Sequence, residues 1–154
     1  MLTFLTITPP SVETLKEKVV DEYGNIRTEE NGYMNGADVF NFVIVEVPKD
    51  IKRLMFATGE DVHQMDYYVF HQANAFINNH IAKKLKLDKE RIPWTIQKYG
   101  NTSSVSVPLT IVSELKDKMA GKKKIMMSAF GVGMAWATAV VPFVDCKISD
   151  IVEI

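Results

Sequence analysis

Apolar and polar positions run in blocks along this chain, and their period changes from block to block. Residues 2–8 alternate loosely between apolar residues and threonine, as a strand does, until Pro9-Pro10 stops the pattern, because proline offers no N–H to a ladder. Residues 11–36 are mostly polar, with turn pairs at Gly24-Asn25 and Asn31-Gly32 and a weak strand pattern near residues 19–23. Between residues 37 and 58 two readings compete. The β-branched run Phe42-Val43-Ile44-Val45 favours a strand by local propensity. Val39, Phe40, Val43 and Val47 recur at helical spacing, however, and Ile51, Leu54 and Met55 continue that pattern beyond Pro48. The periodicity predicts a long buried helix, kinked or restarted at Pro48, with Gly59 as its stop.

The second half reads more simply. Tyr67–Phe70 is a short apolar strand, followed by Ala73, Phe76, Ile77, Ile81 and Leu85 on one face of a helix of about three turns. Pro93 ends the next segment, and Trp94-Thr95-Ile96 predicts another strand. Ser103 or Ser104 can cap a further helix that tolerates Pro108 in its first turns, with Val107, Ile111, Val112, Leu115 and Met119 on its buried face and Gly121 as its end. Residues 125–130 and 134–143 form a hairpin around Gly131-Val132-Gly133. Five strands and three helices in this order predict a layered α/β domain with a mixed five-stranded sheet. Residues 1–33 are an N-terminal strand and connection, and residues 34–154 the domain proper.

Composition narrows the class. At 154 residues the chain is long enough for one core, and 47% hydrophobic against 24% charged residues argues for a folded globular domain. A net charge of −1 gives no drive toward nucleic acid or an anionic membrane. The lone Cys146 excludes an internal disulfide and a multi-cysteine metal site. No apolar run reaches the ~18 residues of a membrane span, and the start carries no basic leader. A soluble cytoplasmic protein is the expectation.

Two polar knots carry the candidate chemistry: His71-Gln72-Ala73-Asn74, and Tyr99-Gly100-Asn101-Thr102-Ser103-Ser104. Each falls where a strand-like run gives way to a helical one, which is where open α/β sheets place ligands. His71 suits a satisfied core histidine as well as a catalytic one, and Asn101 suits a turn or cap. Taken as a pair, a neutral imidazole N–H and a carboxamide N–H are donors fit for an oxyanion or enolate. No serine or cysteine lies in a recognisable nucleophile turn.

His-Gln-Ala-Asn, then Gly-Asn-Thr-Ser-Ser about thirty residues on, then Phe-Gly-Val-Gly-Met-Ala-Trp, resemble the C-terminal half of a β-ketoacyl-acyl-carrier-protein synthase III, a thiolase-fold condensing enzyme. Met34-Asn35-Gly36-Ala37-Asp38-Val39-Phe40 resembles the segment that opens the first long helix of that half. The resemblance covers residues 34–144. It implies a decarboxylative Claisen condensation of an acyl-cysteine with a malonyl thioester in fatty acid or related acyl-chain synthesis. Phosphopantetheine of an acyl carrier protein or coenzyme A would carry the substrates, with no further cofactor and no metal. His71 and Asn101 match the family's pair that holds the malonyl carbonyl and stabilises the enolate. Asn74 matches a residue supporting the histidine's surroundings. Phe130, Gly131, Val132 and Gly133 match the turn that borders the active site and offers a backbone N–H to the acyl-thioester oxygen. A homodimer is the family's assembly.

Two departures stand beside the resemblance. The family's nucleophilic cysteine belongs to an N-terminal half with no counterpart among these residues, and Cys146, near the terminus with only Lys147 to favour a thiolate, is a poor substitute. Where many members carry an arginine that docks the carrier protein, this chain has Phe76. Lys83, Lys84, Lys86, Lys89 and Arg91 form a basic excess nearby, which reads as a solvated face. The rival to the enzyme reading is a stand-alone, non-catalytic half-thiolase domain used in binding or assembly.

Overall fold

The competition over residues 37–58 is won by the helical period. In the computed structural model, which describes residues 5–6, 11–16, 19–20, 24–28, 30–31, 33–131 and 133–152, they lie in helix α1 (Gly36–Thr58). Val43, Val47, Ile51 and Met55, spaced by four, are its buried stripe. Asn35 caps the start by accepting the Asp38 N–H at 3.2 Å. Gly59, at φ +68°, closes the end in the left-handed conformation that glycine adopts without penalty.

α1 runs unbroken through Pro48. A proline there removes the N–H that would bond the carbonyl of Ile44, four residues back. Lys84 supplies the missing donor: its Nζ reaches the Ile44 oxygen at 3.0 Å from the neighbouring helix. Lys84 is thereby a structural donor while its side chain stays on the exposed basic face.

Before α1, two short antiparallel ribbons join β1 (Leu5–Thr6) to β4 (Tyr33–Met34) and β2 (Val19–Val20) to β3 (Ile26–Arg27). Beyond it, β5 (Tyr67–Phe70) pairs parallel with β6 (Lys122–Gly131), and β6 pairs antiparallel with β7 (Ala135–Val144). Strand alternation divides the core between the two sheet faces. Tyr68, Phe70 and Met126 pack with α1 and with Ile77, Ile81 and Leu85 of α2 (Ala75–Leu85). Val69 and Ile125, on the opposite face, pack with Leu115 and Met119 beyond α4 (Ser106–Glu114). Phe42 of α1 meets Trp136 of β7 edge-on, with centroids 4.9 Å apart. The result is the expected layered α/β arrangement with a mixed sheet.

The strand count differs from the expectation. Among the described residues the main sheet has three strands, in the order β5-β6-β7, rather than five. Of residues 2–8, only Leu5–Thr6 is described as strand, and it pairs with β4 outside the main sheet. Residues 94–96 form no strand; a short helix, α3 (Ile96–Tyr99), begins there instead. The cause is local. Thr95 spends its N–H on Gln72 Oε1 at 3.3 Å and its hydroxyl on Thr110 Oγ1 at 2.7 Å, so side chains take the place of a ladder. Among the described residues, no helix is long and apolar enough to cross a membrane.

Candidate functional site

His71 follows the last residue of β5, and its N–H donates to the Ser128 carbonyl at 2.9 Å, carrying the β5–β6 ladder one residue past the strand. The chain then turns away from the sheet, with Gln72 fully buried at the turn. Gln72 donates from Nε2 to the Phe70 carbonyl at 3.1 Å and accepts the Thr95 N–H on Oε1. It is a brace between the first polar knot and the approach to the second. Asn78 of α2 donates from Nδ2 to the His71 carbonyl at 3.1 Å. Asn74 caps α2 by accepting the Phe76 N–H at 2.7 Å. The side chain bonded to the backbone of His71 is therefore that of Asn78, one turn beyond Asn74.

The His71 ring is held as firmly as its backbone. Nδ1 lies 2.6 Å from Ser106 Oγ, and the same oxygen accepts the Gln72 N–H at 3.3 Å. Phe130 meets the imidazole edge-on, with centroids 5.0 Å apart. Burial pushes the His71 pKa below its ordinary value, and a hydrogen bond with the Ser103 backbone opposes that shift. Desolvation disfavours the imidazolium, so the neutral ring prevails at pH 7.

The second knot is built differently. It lies between α3 and α4, not at a strand end as expected. Gly100, at φ +66° and ψ −156°, turns the chain out of α3 in a conformation that essentially requires glycine. Asn101 is exposed, and its Oδ1 accepts the Ser103 N–H at 2.9 Å, an Asx turn. That bond leaves Nδ2 as the free end of the amide among the described residues. Ser103 itself sits at φ +54°, an uncommon conformation for a side-chain-bearing residue.

A mostly apolar cavity of about 960 Å³ brings the two knots together: His71, Asn74, Asn101, Ser103, Ser106 and Phe130 all line it. Gly131 lines it too, at the end of β6. Gly133, at φ +127°, lies in the turn beyond and is not among the lining residues. Val132 lies outside the described residues. Among the described residues, no group of three His, Cys, Asp or Glu side chains is placed to hold a metal.

Ser106 is the site residue that sequence reasoning missed. The expected buried face of α4 ran through Val107 and Ile111, but its two buried residues are Ser106 and Thr110, each one position earlier. The polar pair at i and i+4 was the available signal. Cys146 is remote. It follows β7, whose last residue Val144 pairs with Lys122 at the start of β6, whereas His71 follows Phe70, opposite Ser128. Six residues of strand, about 20 Å, separate those two registers. Phe76 is 68% exposed, its ring 5.8 Å from that of Phe40, which lines the cavity.

Residues 55–143 match the family model for the C-terminal part of 3-oxoacyl-[acyl-carrier-protein] synthase III. The chain belongs to this synthase III family. A β-ketoacyl-[acyl-carrier-protein] synthase III of Streptococcus gordonii is 40% identical over 112 residues, covering 70% of this chain and 34% of that protein. A putative 3-oxoacyl-[acyl-carrier-protein] synthase 3 of Campylobacter jejuni is 32% identical over 143 residues, covering 92% of this chain and 40% of that protein. The crystal structure of a 3-oxoacyl-(acyl-carrier protein) synthase from Burkholderia xenovorans superposes with a TM-score of 0.76 at 41% identity, covering 80% of this chain and 36% of the other. The chain thus spans between a third and two fifths of the length of these synthase III relatives, which it matches in fold as well as in sequence.

Proposed function

We propose that this chain provides the malonyl-activating side of a synthase III-type active site, with His71 and Asn101 as paired N–H donors to the thioester carbonyl. The observation that supports this reading is that both residues line one mostly apolar cavity, one a buried imidazole kept neutral and the other an exposed amide whose Nδ2 has no partner among the described residues. Decarboxylation of a malonyl thioester breaks the bond to the carboxylate, releases CO₂ and places the electron pair on an enolate oxygen. Two preorganised donors at an apolar cavity stabilise that charge, each typically contributing ~3 kcal/mol. The enolate carbon then attacks an acyl-cysteine thioester, and the cysteine thiolate leaves. Phosphopantetheine on an acyl carrier protein or coenzyme A is the carrier of the malonyl group in this reading, in service of fatty acid or related synthesis.

The acyl-cysteine is the part these residues do not supply. Cys146 is the chain's lone cysteine, and its strand register puts it about 20 Å from His71. A second half bearing the nucleophile is required, and the chain alone makes no condensation product. The exposed faces fit that need. β7 is a ten-residue edge strand among the described residues and carries no charged side chain, which is an invitation to pairing.

The test is to purify the chain, measure its mass in solution, and supply an acyl primer with a malonyl thioester. The expectation is self-association, no β-ketoacyl product, and at most trace decarboxylation dependent on His71. Turnover to a β-ketoacyl product that persists in Cys146→Ala would overturn the need for a second half. Absence of malonyl-thioester binding, with and without that half, would instead favour the binding or assembly role.

A further inference from the structure

We propose that Ser128 holds the carboxylate of the malonyl group and so sets a preference of this site for carboxylated over plain acyl thioesters. The inference rests on the donor pair proposed above, which occupies the thioester carbonyl and leaves the carboxylate without a partner. That carboxylate would sit in a mostly apolar cavity whose described lining residues include no Lys, Arg, Asp or Glu. Burying an anion there is costly unless hydrogen-bond donors meet it. His71 and Asn101 are committed to the carbonyl. Asn74, Ser103 and Ser104 also line the cavity, but they are exposed, so water can serve their protons. Ser106 Oγ is already engaged by His71 Nδ1 and the Gln72 N–H.

Ser128 differs from all of these. It is 3% exposed, lines the cavity, and lies directly opposite Thr138, another lining residue, in the β6–β7 ladder. Thr138 Oγ1 donates to Ser128 Oγ at 3.1 Å, and neither hydroxyl has another partner among the described residues. A hydroxyl carries one proton. Thr138 spends its proton on Ser128, and Ser128 keeps its own, a buried donor that needs an acceptor. The Ser128 carbonyl accepts the His71 N–H at 2.9 Å, so this hydroxyl belongs to the neighbour of His71 across a strand spacing of about 4.8 Å. One malonyl group can bridge that spacing, from its thioester oxygen to its carboxylate. A neutral donor also suits the reaction. Decarboxylation breaks the bond to the carboxylate, releases CO₂ and leaves the electron pair on the enolate, while the Ser128 proton stays where it is. A cation here would stabilise the ground-state charge that the reaction removes, whereas a hydroxyl orients the group at less cost to the rate.

The experiment titrates the chain with malonyl-coenzyme A and with acetyl-coenzyme A by calorimetry and reads the ratio of the two Kd values. The parent should prefer the malonyl thioester, and Ser128→Ala should cut that preference by about tenfold or more, the scale of one hydrogen bond to a charged group. Thr138, one strand farther from His71, cannot take its place. Thr138→Val removes the other hydroxyl but leaves the Ser128 proton free to donate, so the preference should survive there, as it should in Ser128→Thr. If Ser128→Ala loses its circular dichroism, Ser128→Cys, with its weaker S–H donor, serves for the same comparison. A parent that binds neither thioester, or both alike, overturns the proposal, as do equal losses in Ser128→Ala and Thr138→Val. A preference that depends on Ser128 in a protein that cannot decarboxylate malonyl thioester, even when completed by a nucleophile-bearing half, would overturn the donor-pair reading and leave the Ser128 contact standing.

Discussion

The two walls of the cavity are built on different principles. The His71 wall is buried and tied on every side: Ser128, Asn78, Ser106 and, through Gln72, Phe70 and Thr95 all hold it. The Asn101 wall is an exposed loop shaped by one Asx turn, a glycine and a serine in the left-handed region. The imidazole is preorganised by the core, whereas the amide is preorganised by local backbone geometry. Chemistry that needs two donors at one oxygen thus depends on a rigid partner and a locally set one, and damage to each wall should have a different signature.

The largest effect on stability should come from the first wall. Gln72→Ala would strand the Thr95 N–H and the Phe70 carbonyl in the core, a cost of about 2–3 kcal/mol readable by urea denaturation. Asn101→Ala, on an exposed residue, should cost under about 1 kcal/mol by the same measurement. Equal losses at the two positions would erase the distinction between the walls.

A pH titration sharpens the same contrast. The native pKa of His71 lies below its ordinary value of 6.5, so the unfolded chain takes up a proton first as the pH falls. The stability that burial of the neutral ring allows is intact above about pH 6.5 and is lost as the pH drops toward the depressed native value. His71→Gln should flatten that part of the stability profile, whereas Asn101→Ala should leave it unchanged. The smallest effect should be Ser103→Gly, which relieves a positive φ and should leave stability unchanged or raise it by up to ~1 kcal/mol.

Much of this was legible in the chain, and the boundary has a physical cause. α1 was readable because Val43, Val47 and Ile51 keep helical spacing through β-branched residues that favour strands individually. α2 and the β6–β7 hairpin were readable for similar periodic reasons. The failure at residues 94–96 came from tertiary side-chain bonds: nothing local shows that Gln72 and Thr110 will occupy Thr95. Lys84 likewise looked like part of a solvated basic face, because its partner, the Ile44 carbonyl, exists only where Pro48 has vacated it across the helix pair. His71 and Asn101 could be picked out by residue type, but Ser106 could not. Its importance lies in a contact 35 positions away in sequence.

The most direct test of the donor pair is a double-mutant cycle on malonyl-thioester decarboxylation, with this chain reconstituted with a synthase III N-terminal half that supplies the cysteine. His71→Ala and Asn101→Ala should each lower the decarboxylation rate by ~10²-fold or more while leaving acyl loading largely intact. The double variant should lose less than the product of the two single losses, because the donors act on one oxygen. Near-normal decarboxylation in either single variant, or equal loss of loading and decarboxylation, would contradict the account.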